Sequence, residues 1–128
     1  MNLTEKQIEE YNESIGKFMN MKTGLTYQLF GENLNLTILD RTRTFCYPHE
    51  LRFHKDWNWL MEVIEKIEKL PITDNGGICV SIEHNYCRIY LDDWGQFTDI
   101  AIGISKNSKI EATFKAVVNF IEWYNQQK

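Results

Sequence analysis

The sequence predicts an α/β chain of the α+β kind, a three-layer α/β/α sandwich with a mainly antiparallel sheet and about three helices. Three observations carry that expectation. Residues 54–70, HKDWNWLMEVIEKIEKL, repeat apolar side chains at helical spacing. Residues 78–91 divide cleanly into an apolar and a polar set when folded as a hairpin about His84-Asn85. Two other segments open on capping boxes, Thr4-x-x-Gln7 and Ser108-x-x-Glu111.

The helix over 54–70 is the most strongly patterned. With Trp57 at zero and about 100° per residue, Trp57, Leu60, Met61, Ile64 and Ile67 share a face. Val63, Leu70 and Trp59 widen it to roughly 200°, more than a surface helix usually buries. Glu62–Lys66 and Glu65–Lys69 are acid-before-base pairs four apart, worth roughly 0.2–0.5 kcal/mol each. Pro71 should stop the helix near Leu70. Trp57 and Trp59 lie about 160° apart, so one is a core anchor and the other meets a second element or a partner.

The first helix begins at Thr4, with Leu3 and Ile8 as a hydrophobic staple. Ile8, Tyr11, Ile15, Phe18 and Met19 form its apolar stripe, and Gly24 is the expected stop. Leu25–Phe30 and Leu34–Leu39 alternate as a hairpin around Gly31-Glu32-Asn33. Residues 40–53, containing Pro48, read as loop with at most one short strand, and residues 71–77 as a turn-rich connection.

With His84-Asn85 as a two-residue turn, Ile82 faces Cys87, Val80 faces Ile89, and Ile78 faces Leu91. The opposite face then carries Cys79, Ser81, Glu83, Tyr86, Arg88 and Tyr90. Its tyrosines and cysteine suit a face half covered by a helix, which is the ground for three layers. Asp92-Asp93-Trp94-Gly95 turns the chain, and Gln96–Ile104 supplies a third strand in which Ile100, Ile102 and Ile104 alternate with Asp99, Ala101 and Gly103. The last helix carries Ile110, Phe114, Val117, Ile121 and Tyr124 on its stripe.

A length of 128 residues implies one domain over 1–128, and 43% hydrophobic residues imply a folded core. A net charge of −4 gives no global attraction to phosphate backbones or anionic membranes. The start MNLTEKQIEE lacks the apolar run of a signal peptide, and no apolar stretch approaches the roughly 18 residues of a membrane span. With three cysteines, an odd number, these features imply a cytoplasmic protein with reduced thiols.

Three stretches resemble a family of small bacteriophage- and prophage-encoded proteins, the phage ABA sandwich domain. They are Asn12-x-x-Ile15-Gly16-Lys17-Phe18-Met19, the run from Phe53 to Glu68 centred on Asp56-Trp57-Asn58-Trp59, and Ser108–Ala112 leading into Ala116–Asn125. They lie in matching order from near residue 8 to the C-terminus. Members usually have a small residue before the Trp where this chain has Asp56, and the Leu25–Leu39 hairpin is an elaboration. The resemblance implies an α/β/α sandwich and an origin on a mobile element, and transfers no catalytic residue and no cofactor.

Among chemistry-bearing groups, Cys46-x-x-His49 with His54, joined by Cys79, His84 and Cys87, is the best zinc candidate. The spacing does not repeat as two knuckles, and the hairpin register sends Cys79 and Cys87 to opposite faces, so structural roles and no bound metal are expected. Cys46 with His49, or Cys79 with His84, lacks the elbow of a nucleophile, and Asp92-Asp93 is ordinary turn composition. Asn75-Gly76-Gly77 lacks the lysine and helix of a phosphate loop.

Residues 41–55 interleave Arg41, Arg43, Arg52 and Lys55 with Phe45, Tyr47 and Phe53, as single-stranded nucleic-acid binders do. A solvated loop is the plainer reading. The leading expectation is a non-enzymatic module, monomeric or homodimeric, that binds an unknown host or phage protein and no membrane. Its candidate surface is Trp59, Trp94 and Trp123, with Arg41 and Arg43 for the alternative of a nucleic-acid accessory protein. A small hydrolase or metal enzyme comes third.

Overall fold

The structure is a computed structural model and describes residues 3–19, 22–29, 32–39, 44–46, 51–71 and 76–127. Over the described residues the chain is α+β, with three helices and antiparallel strands, and it divides into two compact units, Met1–Arg52 and Phe53–Lys128.

In the first unit, α1 (Glu5–Phe18) opens on the expected capping box. Gln7 N donates to Thr4 Oγ1 at 3.1 Å and Thr4 N donates to Gln7 Oε1 at 2.9 Å, so two orphan amides of the first turn are satisfied. The helix ends at Met19, whose N–H donates to the Ile15 carbonyl at 2.9 Å. Gly24, the expected stop, lies inside β1 (Lys22–Leu29), which pairs antiparallel with β2 (Glu32–Leu39) in a register joining Leu25 to Leu36 and Tyr27 to Leu34. The hairpin is thus longer than the expected runs, and Leu29 already pairs with Glu32. The short strand expected within 40–53 is β3 (Thr44–Cys46), paired with β2. Asn12 is buried on α1 and its Nδ2 donates to the Leu51 carbonyl at 3.3 Å.

The second unit is a meander of β4 (Gly76–Ile82), β5 (Tyr86–Asp93) and β6 (Gln96–Ile104), in spatial order β4-β5-β6, with helices α2 (Trp57–Glu68) and α3 (Lys109–Gln126). The β4–β5 register pairs Ile78 with Leu91, Val80 with Ile89 and Ile82 with Cys87, as the alternation requires. Glu83 N donates to the Tyr86 carbonyl at 2.8 Å and closes the two-residue His84-Asn85 turn.

α3 packs on β5 and β6, and α2 lies against β4 and α3. The helices cover the face of Ile78, Cys87 and Ile89, all buried, together with Ala101 and Gly103 of β6. A Cβ at Gly103 would collide with the Ala112 carbonyl oxygen and the Ala116 amide nitrogen of α3. Close approach of helix and strand backbones therefore dictates the small residues at this crossing. Ile102 and Ile104 consequently point to the other face, where they stay exposed. A register shift between Ile89 and Tyr90 lets one extra residue into β6, so that Ala101 pairs with Ile89 and Asp99 with Tyr90.

α2 begins at Trp57 because Asp56, in extended conformation, caps it: Asn58 N donates to Asp56 Oδ1 at 2.9 Å. Its buried residues are Leu60, Val63, Ile64 and Ile67. The buried stripe is thus rotated about 70° from one centred on Trp57. Trp57 and Met61 fall on one margin, 37% and 40% exposed, and Trp59 on the other, half-buried and edge-on to Phe53 at 5.1 Å.

α3 forms half of the expected capping box. Glu111 N donates to Ser108 Oγ at 3.1 Å, while Ser108 N donates to Ser105 Oγ at 3.3 Å. Burial alone would raise the Glu111 carboxyl. Hydrogen bonds with Ser105, Lys115 and Asn107 and the Lys115 charge outweigh burial and hold it below the usual carboxylate range. Eight residues of α3 are buried, from Ala112 to Ile121, so it is the central helix of this unit.

Candidate interaction surface

The face of the β4–β6 sheet opposite the helices carries a ladder of contacts. Arg88 pairs with Asp99, its guanidinium lies 4.3 Å from the Tyr90 ring centroid, and Tyr90 meets Phe97 edge-on at 5.5 Å. At the two ends of this face Phe97 is 58% and Ile104 61% exposed.

The β5–β6 connection pairs Asp93 with Gln96, leaving Trp94-Gly95 as a two-residue loop. Trp94 has φ 54° and Gly95 φ 86°, the two positive values that a type I′ turn needs. Gly95 takes this conformation freely, whereas a tryptophan is strained there. Gly95 N donates to Asp92 Oδ1 at 3.1 Å and steadies the loop. Trp94 is 81% exposed, the most of any large hydrophobic side chain among the described residues. Of the other tryptophans read as surface anchors, Trp59 rests on Phe53 and Trp123 is half-buried 5.7 Å from Phe120.

The outer edge of β6 is engaged by α3. Asn119 Nδ2 donates to the Ile102 carbonyl at 3.0 Å and Lys115 Nζ to the Ile104 carbonyl at 3.2 Å. Both carbonyls are thereby withdrawn from strand addition.

A cleft of about 260 Å³ opens at the far end of the sheet from Trp94, between the His84-Asn85 turn and the 105–109 loop before α3. Its rim includes Lys106 and Lys109, and its lining holds neither a cysteine nor a carboxylate.

Arg41, Arg43 and His49 lie outside the described residues, and Cys46 is placed by its backbone in β3. Cys79 pairs with Tyr90 and Cys87 with Gly103, so the two thiols point to opposite sides of the hairpin. His54 sits before α2, edge-on to Phe114 at 6.0 Å. Among the described residues no three His, Cys, Asp or Glu side chains gather as metal ligands. No helix among them is long and apolar enough to cross a membrane.

Cys87 is fully buried, and burial pushes its thiol up to about 11 against a lowering hydrogen bond with Thr113. Iodoacetamide at pH 8 should therefore modify Cys79 at least about tenfold faster than Cys87, with Cys87 reacting only on unfolding. Peptide mapping by mass spectrometry would read this order, and early labelling of Cys87 would contradict its burial.

Residues that sequence reasoning passed over are Phe97, Ile102, Ile104, Lys106 and Lys109. The isoleucines could have been found from Gly103: a glycine in mid-strand marks close backbone approach, hence the side on which a helix lies. No such signal ties His84 to Lys106 and Lys109, which meet only through the fold. Comparison with protein-family models, with curated proteins and with solved structures finds no match to this chain.

Proposed function

We propose that the protein is a non-enzymatic protein-interaction module whose docking element is the tip of the β5–β6 hairpin. The observation that carries this reading is Trp94. It is 81% exposed and has φ 54°, so it bears two costs at once, exposed apolar surface and backbone strain. An asparagine before Gly95 would bear neither. A side chain that lowers stability in the free protein is accounted for when a partner covers it, and tryptophan heads the residue types that anchor interfaces. Phe97 extends the same apolar surface along β6. The resemblance of three stretches to phage-encoded proteins supports a bacterial or phage protein as partner and an origin on a mobile element.

Trp94→Asn is the test. The variant should melt no lower than the parent and should gain about 0.5–1 kcal/mol from the relaxed turn. In affinity capture from a bacterial lysate it should lose the proteins that the parent retains. Equal capture by both chains would remove Trp94 from the interface and the reading with it.

A further inference from the structure

Two features of the second unit complement each other and cannot meet within one chain. The first is the hairpin tip, where Asp92 and Asp93 flank the projecting Trp94 and no basic residue lies between Arg88 and Lys106. The second is the cleft bounded by His84, Lys106 and Lys109, with room for an indole ring. Of the acids near it, Glu111 is engaged by Ser105, Asn107 and Lys115, and Glu83 precedes His84 on the turn, so two lysines outnumber the one remaining carboxylate. Tip and cleft sit at opposite ends of β5, a strand of eight residues and so roughly 25 Å long. A tip therefore cannot reach its own cleft.

We infer that the partner of the hairpin tip is a second copy of this chain, whose cleft receives Trp94 while its Lys106 and Lys109 lie against the acidic end of the β5–β6 hairpin. This rests on the reading of the hairpin as the docking element. Two sheets laid face to face with their strands antiparallel form both tip–cleft contacts at once about a two-fold axis. That arrangement is closed and stops at a dimer. The same arrangement lays Phe97 of one copy over Ile104 of the other, covering the two apolar ends of the open face. Edge-to-edge pairing through β6 is disfavoured, because Asn119 and Lys115 already hold its outward carbonyls.

Sedimentation equilibrium of the full chain tests this. The parent should show a monomer–dimer equilibrium that weakens at least tenfold between about 50 and 500 mM salt, because the opposed charges are screened. Trp94→Asn alone and Lys106→Glu with Lys109→Glu should each sediment as monomers, with circular dichroism unchanged from the parent. A parent that stays monomeric at high concentration, or a dimer indifferent to both variants, overturns the inference. Lysate capture that still depends on Trp94 in a monomeric parent would leave the docking role standing and assign it to a different protein.

Discussion

Replacing Gly103 by alanine should destabilise the protein by about 2–3 kcal/mol, a large effect for one methyl group. The added carbon would overlap the Ala112 carbonyl oxygen and the Ala116 amide nitrogen, both backbone atoms of α3. No rotamer change relieves such a clash. Either α3 lifts from β6 or the strand bends away, and Phe114, Val117 and Ile121, all fully buried, lose packing. Gly77 is the internal control, because nothing lies within 4 Å of a Cβ built there. Gly77→Ala should change stability by less than about 0.5 kcal/mol. Urea unfolding followed by circular dichroism would measure both variants. A Gly103→Ala protein as stable as the Gly77→Ala protein would mean that helix and strand do not approach so closely.

How the sequence encodes this unit can be seen by comparing β5 with β6. The β4–β5 register was legible because a two-residue turn fixes it and a slip of one residue would exchange every side chain between faces. In β6 the same logic of apolar residues inward fails. Ile102 and Ile104 face out while Ala101 and Gly103 face α3, because the backbone distance at the crossing, not hydrophobicity, selects the inward side chains. The bulge opposite Ile89 and Tyr90 is likewise set by pairing and leaves no mark in the pattern of apolar residues. On α2 the helical period was plain, but its phase was not. Trp57, Met61 and Trp59 are apolar yet marginal, since a three-stranded sheet and one neighbouring helix leave room for a narrower stripe than the sequence offers.

The candidate surface divides in the same way. Asp92-Asp93-Trp94-Gly95 announces a turn by composition. That the tryptophan itself takes a positive φ follows only from the pairing of Asp93 with Gln96, which leaves two residues to reverse the chain. The cleft joins His84 to Lys106 and Lys109 across the end of the sheet. Neither residue type nor local spacing signals that meeting, because it is a product of the meander closing on α3. Patterning specifies elements and registers, and it is weaker on which surfaces those elements leave open.

Phe114→Ala should cost about 3–5 kcal/mol, the largest single effect expected in the second unit. The ring is fully buried on α3 and meets the imidazole of His54 edge-on at 6.0 Å. Its removal deletes the transfer energy of a benzyl group and leaves a cavity that the neighbouring helix and sheet can only partly close. Met61→Ala, at a position 40% exposed although the wheel puts it on the apolar face, should cost less than about 1 kcal/mol. The imidazole supplies a second readout. Burial, and after it the charge of Lys55, holds His54 below its ordinary value. The folded chain therefore binds fewer protons at His54 than the unfolded chain, and this site's contribution is fully present above its ordinary value of about 6.5 and is lost as pH falls through the folded value. Opening the space left by Phe114 admits water to the ring, so a titration of His54 by NMR should move upward toward the ordinary value in Phe114→Ala. A His54 titration unchanged by the loss of Phe114 would mean that the aromatic contact does not provide its burial.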